Sequence, residues 1–223
     1  MKVLFLDTTT KLIILGIYDI SIHSIGNTTT ADSIVSIDSY SGFHPKESSN
    51  LVFPKLLELK HDFQTSPPDR ILVCTGPGSF AGIRIGVGIG RSLSQVWNIP
   101  VLGIPTIELY VSHFEKLGIA NPLILIEGGM KKYFVGSANS HVQDLTFPEI
   151  ETNFFQDQKY SLVTDFSFEK EHIYLPDSIP SPVAWIAKNL PRIQNLNLEE
   201  NSFHTLLPFY LRGTYADGKE KKT

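Results

Sequence analysis

The stretch Arg70 to Trp97, RILVCTGPGSFAGIRIGVGIGRSLSQVW, constrains the fold more than any other part of the chain. Ile71, Leu72 and Val73 form an apolar run between the Pro67-Pro68-Asp69 breaker and Gly76-Pro77-Gly78, the pattern of a buried strand entering a tight turn. Ser79 stands where a helix N-cap belongs, and Ile85, Ile89, Leu93 and Val96 recur after it at helical spacing. The stretch therefore predicts strand, glycine turn, helix. Gly82, Gly86, Gly88 and Gly90 each cost such a helix about 1 kcal/mol relative to alanine, so something must offset them. At about 100° per residue, Gly82, Gly86 and Gly90 share one stripe, with Ile83 and Val87 on its flank and Arg84, Gly88, Arg91 and Gln95 opposite. A bare stripe admits another backbone. The spacing fits a sheet of the same chain and a second chain equally well.

The glycines do not match the phosphate-binding patterns. No lysine follows them as a P-loop requires, and Gly76-Pro77-Gly78 is followed by Gly82 one position too late for a dinucleotide fingerprint. Pro77 stands where a nucleophile elbow needs glycine, so Ser79 reads as a cap.

The 223 residues can bury a sizeable core in one compact unit or two small lobes. A net charge of −4 argues against a nucleic-acid binder acting alone. Cys74 is the only cysteine, which excludes an intrachain disulfide and predicts a reducing compartment. No apolar run approaches membrane-spanning length, and Val3 to Leu6 is too short for a signal segment. A cytoplasmic, soluble protein is expected.

In chain order, Val3 to Leu6 and Leu12 to Ile20 read as a hairpin. A polar connection, Ser21 to Asp32, leads to a third strand at Ser33 to Tyr40, and Ser48 to His61 reads as a helix that Pro54 kinks or whose regular part it begins. After the glycine helix come a strand at Val101 to Ile104 and a helix from Pro105-Thr106 to about Leu117, with Gly118 as its stop. A similar rhythm restarts with strands at Leu123 to Glu127 and Lys132 to Ala138, joined by Gly128-Gly129. Weaker patterns follow: a helix at Glu149 to Phe155, strands at Tyr160 to Thr164 and Ile173 to Leu175, and a helix at Pro182 to Leu190.

Few residues suggest chemistry. Asp7, ending the first strand, faces the usual crevice of an α/β sheet but reads best as a turn-capping Asx residue. Glu127 and His44 read as turn and loop residues. The seven histidines supply no i, i+3 or i+4 pair, so no metal site is predicted.

The run Gly76-Pro77-Gly78-Ser79-Phe80-Ala81-Gly82-Ile83-Arg84-Ile85-Gly86 resembles the G-P-G-S-F-T-G-x-R-x-G signature of the TsaB (YeaZ) family of tRNA threonylcarbamoyladenosine biosynthesis proteins, with Ala81 in place of Thr. Leu6-Asp7-Thr8-Thr9 resembles the family's opening I-D-T-[AS], Leu102 to Thr106 its I-G-V-S-T, and Pro208 to Arg212 its closing P-x-Y-L-R. The resemblance implies an α/β, two-lobed ASKHA fold (actin-like, RNase H-like) with mixed sheets flanked by helices. We expect lobes at 1–105 and 106–215 and a disordered tail at 216–223. It further implies a non-catalytic subunit that activates TsaD, which transfers threonylcarbamoyl to N6 of a tRNA adenosine. TsaE, an ATPase, joins the assembly; tRNA is met indirectly, and the isolated chain forms a homodimer. Neither cofactor nor metal is expected on this subunit, since ATP and the metal ion belong to its partners.

The family's partner surface is built from the two first-lobe helices, which implies an interface of Leu51, Pro54, Leu57, Gly82, Ile83, Gly86, Val87 and Gly90. Asp7, Gly78 and Ser79 are the candidates for a vestigial nucleotide site. The competing reading is an ASKHA-type ATPase or phosphotransferase, or a peptidase, acting alone. Three departures stand out: Ser48 where relatives carry His, Gly129 where they carry Arg in I-D-A-R, and the long Ser21 to Asp32 connection.

Overall fold

The computed structural model describes residues 1–25, 28–45, 48–63, 65–138, 140–156 and 159–211. Two five-stranded sheets face each other. The first has the order β3-β2-β1-β4-β5, from β1 (Lys2–Asp7), β2 (Leu12–Ile25), β3 (Thr28–Phe43), β4 (Arg70–Gly76) and β5 (Val101–Pro105). β1, β2 and β3 pair antiparallel, whereas β1, β4 and β5 run parallel. The second has the order β10-β9-β6-β7-β8, from β6 (Pro122–Glu127), β7 (Lys132–Gly136), β8 (Gln143–Thr146), β9 (Ser161–Thr164) and β10 (Ile173–Tyr174).

β1 and β4 are continuous apolar runs because both faces of their sheet are covered. Leu4, Leu6, Ile71 and Val73 pack under α1 (Ser48–Glu58) and α2 (Phe80–Trp97). Val3, Phe5, Leu72 and Cys74 turn the other way, into a core shared with α3 (Thr106–Lys116), Ile124 and Ile126 of β6, and Trp185 and Ile193. Those last two stand on α5 (Val183–Lys188) and α6 (Leu190–Gln194). The outer face of the second sheet, Leu123, Leu125 and Val135, is closed by Ile150 of α4 (Phe147–Phe154) and a rim of aromatic rings. The order is thus helices, sheet, helix layer, sheet, short helix, the two-lobed α/β arrangement that the resemblance implies.

Several expectations are corrected. Ser21 to Asp32 is not a polar connection: β2 and β3 continue as a ladder to Ile25↔Thr28, with bulges at Ile17/Tyr18 and Ser21/Ile22. The polar side chains belong to an arm that projects past β1, which pairs only as far as Asp19. Its apolar members Ile22, Ala31 and Ile34 rest on the shared core. Pro54 does not begin the regular part of α1 but lies inside it. β8 and α6 were not expected. The chain beyond Leu196 does not stay with the second sheet: Val101 N donates to Asn201 O and Phe209 N to Thr75 O, at 2.8 Å each, and Leu206 is buried against the first sheet. Arg212 and the tail at 216–223 lie outside the described residues.

Candidate functional site

Two places inherit the candidate residues: the crevice at the end of β1 and the outer face of α1 and α2. In the crevice, Asp7 is fully buried. Its Oδ1 accepts from Thr9 N at 2.9 Å and Thr9 Oγ1 at 2.7 Å, and its Oδ2 from Tyr110 OH at 2.9 Å. The first bond is an Asx turn, which local chain geometry alone produces. Burial pushes the Asp7 carboxyl up, and the bonds from Thr9, Tyr110 and Cys74 pull it back in part. The same burial, together with the Asp7 charge, raises the Tyr110 hydroxyl and the Cys74 thiol well above their ordinary values. Thr106 Oγ1 continues the network to Thr9 Oγ1 at 2.9 Å.

The glycine turn closes over this group. Ser79 N donates to Thr9 O at 2.5 Å, and a Cβ on Gly78 would strike that same carbonyl. Ser79 Oγ accepts from Gly82 N at 3.3 Å, capping α2, and Thr8 Oγ1 donates to Gly82 O at 2.7 Å. Two of the amides at the start of α2, those of Ser79 and Gly82, are engaged within the chain. Glu127 is ion-paired with Lys11 at 2.6 Å, and His44 Nε2 meets Tyr40 OH. Among the described residues, no three His, Cys, Asp or Glu side chains gather as metal ligands.

On the helical face the structure divides the eight expected interface residues. Gly82, Ile83, Gly86, Val87 and Gly90 are buried, and they face the chain's own sheet. Cβ atoms on Gly82 and Gly86 would meet Thr8, and one on Gly90 would meet Val73. The glycine stripe therefore lets α2 lie close on β1 and β4, and these five residues are not surface. Leu51 is half-buried, and Pro54 and Leu57 are exposed.

Ile83 and Val87 of α2 are buried on the first sheet, and the other large residues of the helix are less covered. Ile85, Ile89, Leu93 and Trp97 are only partly covered, and Val96 is 75% exposed. With Phe53 at 54% and Leu57 at 68% on α1, they make an apolar outer face. Arg84 and Arg91 flank it without ion partners among the described residues, and Arg84 lies over the exposed Phe80 ring, 5.2 Å from its centroid. Sequence reasoning missed this face because the resemblance put the glycine stripe, with Ile83 and Val87, on the partner surface. The four-residue glycine spacing was the available signal, since it marks the stripe that packs and so sets Ile85 and Ile89 off it.

The comparisons with known proteins agree with this architecture. The family model for TsaD, tRNA N6-adenosine threonylcarbamoyltransferase, matches residues 25–148, more than half of the chain. The tRNA threonylcarbamoyladenosine biosynthesis protein TsaB of Bacillus subtilis (strain 168) is 29% identical over 110 residues, 47% of each chain. TsaB of Escherichia coli (strain K12) is 28% identical over 93 residues, 40% of each. The alignments thus span about half the length of these curated relatives or less. Two structures from Pseudomonas aeruginosa share the fold over nearly the whole length, each at 15% identity. An uncharacterized protein with similarity to peptidase YEAZ has a TM-score of 0.65, covering 95% of this chain and 99% of that one. YeaZ itself has a TM-score of 0.63, covering 94% and 99%. The chain belongs to the family that the TsaD model describes and, within it, to the TsaB/YeaZ group, whose two-lobed ASKHA fold it adopts.

Proposed function

We propose that this chain is a non-catalytic subunit in the formation of threonylcarbamoyladenosine in tRNA, and that it docks on TsaD through the outer face of α1 and α2. The observation that carries the reading is the outer side of α1 and α2: the α2 glycines pack inward, and the exposed Val96, Phe53 and Leu57, with the partly covered Ile85 and Ile89, give the two neighbouring helices an apolar outer face. Contiguous exposed apolar area of this kind marks interaction sites. The filled crevice supports the absence of chemistry, because Asp7 and the amides of Ser79 and Gly82 already have partners. TsaE is expected to join the complex, with ATP and metal ion held by the partner subunits and tRNA reached through them. The same face would mediate a homodimer when the chain is alone.

The test pairs Leu57→Asp with Ile89→Asp. The double variant should fold, lose binding to TsaD in titration calorimetry, and fail to support threonylcarbamoyl transfer to tRNA in a reaction reconstituted with TsaD, TsaE and the precursor-forming synthase. Wild-type affinity in the folded variant would place the interface elsewhere. Magnesium-dependent ATP hydrolysis by the chain alone, lost in Asp7→Asn, would overturn the non-catalytic role.

A further inference from the structure

One lysine stands in the turn between β1 and β2, and two acids end neighbouring parallel strands of the second sheet. Lys11 Nζ lies 2.6 Å from Glu127 Oε2 and donates to the backbone carbonyl of Asp165 at 3.3 Å. Asp165 is 2% exposed, and its Oδ1 accepts from Glu127 N at 2.8 Å, so the two acids are held as one unit. The turn that carries Lys11 is fixed on both sides. Its carbonyl accepts from His44 N at 2.7 Å, and the neighbouring Thr10 Oγ1 is 3.1 Å from Tyr110 OH. The Phe43 and Tyr174 rings meet edge to face between the same two sheets.

These groups stand where the carboxyl ends of strands from both sheets converge, the place at which α/β folds take ligands. Here a cation of one sheet already meets the acids of the other. We propose that Lys11, Glu127 and Asp165 form a latch that holds the two sheets closed across the crevice without a ligand, so that the subunit keeps one shape instead of opening and closing. Burial, with the like charge of Glu127, pushes Asp165 up to about 6 despite the Glu127 amide and the Lys11 charge. Among the described residues, Tyr174 also acts electrostatically on Lys11. The latch goes beyond the docking role and stands whichever partner the helices bind.

The test uses the full chain with spin labels at Ser92→Cys on α2 and Asn153→Cys on α4, one beside each sheet, together with amide exchange at Glu127. Lys11→Met keeps the aliphatic stem and removes the charge; Glu127→Gln is the second single variant, so the test survives if one of them fails to fold. Either should broaden the interlabel distance distribution and speed exchange at the residue-127 amide about fivefold, the scale of a part-exposed ion pair. The charge swap Lys11→Glu with Glu127→Lys should bring both readouts back to within about twofold of wild type, as a pairwise interaction requires. Single variants with wild-type distances and exchange, or a swap that restores neither, would overturn the latch.

Discussion

Alanine at Gly82 and alanine at Gly88 make the same change in one helix and should move stability in opposite directions. Gly88 is exposed, and a Cβ there meets nothing within 4 Å, so Gly88→Ala should gain about 1 kcal/mol from helix propensity alone. At Gly82 the new Cβ overlaps the carbonyl oxygen of Thr8, a backbone atom just past β1, which is itself held between β2 and β4. That atom cannot turn aside, so α2 must lift away from the sheet. Overpacking of this kind costs about 1–3 kcal/mol. The lift also strains the Thr8 Oγ1 to Gly82 O bond, worth about 1 kcal/mol. After the propensity gain, the net loss is about 2 kcal/mol, which separates the two variants by about 3 kcal/mol. Urea unfolding should resolve this as a midpoint difference of about 1.5 M, taking a slope of about 2 kcal/mol/M. A Gly82→Ala midpoint at or above wild type would refute the inward stripe. Gly86→Leu, which spacing alone would choose to block a partner, drives into Thr8 Oγ1 and Val73 and should damage the fold before any docking.

Asp165→Asn tests the sign of a buried charge. Because the folded-state carboxyl is raised to about 6 from 3.8, its contribution to stability is present below 3.8 and lost as pH rises through 6. The variant should therefore exceed wild type by up to about 3 kcal/mol at pH 7.5, and the excess should vanish by pH 4 in urea midpoints. Tyr110→Phe strips Asp7 Oδ2 of its donor and should cost about 1–3 kcal/mol. Since that bond favours the ionised carboxylate, the loss should grow with pH across the Asp7 titration, as paired unfolding curves would show. Ser79→Ala removes the N-cap of α2 and should cost about 1 kcal/mol, read as a melting point lower by about 2–4 °C.

The strand, turn and helix of residues 70–97 were legible because Pro67-Pro68, the Gly76 turn and Ser79 are local signals that later contacts do not overrule. The shared face of the glycines was legible too, but not what they face. Spacing states that a backbone comes close, while Thr8, some seventy residues upstream, decides which one. The arm of β2 and β3 escaped notice because one side of it meets solvent, so serines and threonines alternate with isoleucines and resemble a loop. The four residues of β8 form a sheet edge with little apolar pattern to read. Asp7 reads as a turn-capping residue from its place at the end of the first strand, whereas its sealing by Tyr110 and the contact of Lys11 with Glu127 needed the long-range fold.

The closing segment has a consequence for how the molecule is made. The amides and side chains that finish the first sheet, from Asn201 beside Val101 to Phe209 beside Thr75, leave the ribosome about a hundred residues after the strands they cap. Until then Val101 N lacks its native acceptor and Leu206 is not yet in its seat between Gly90 and Gly103. A fragment cut after β5 would carry an uncovered sheet edge, the situation in which nascent chains pair wrongly. Early and late halves of this chain should complement each other when co-expressed and aggregate when made apart.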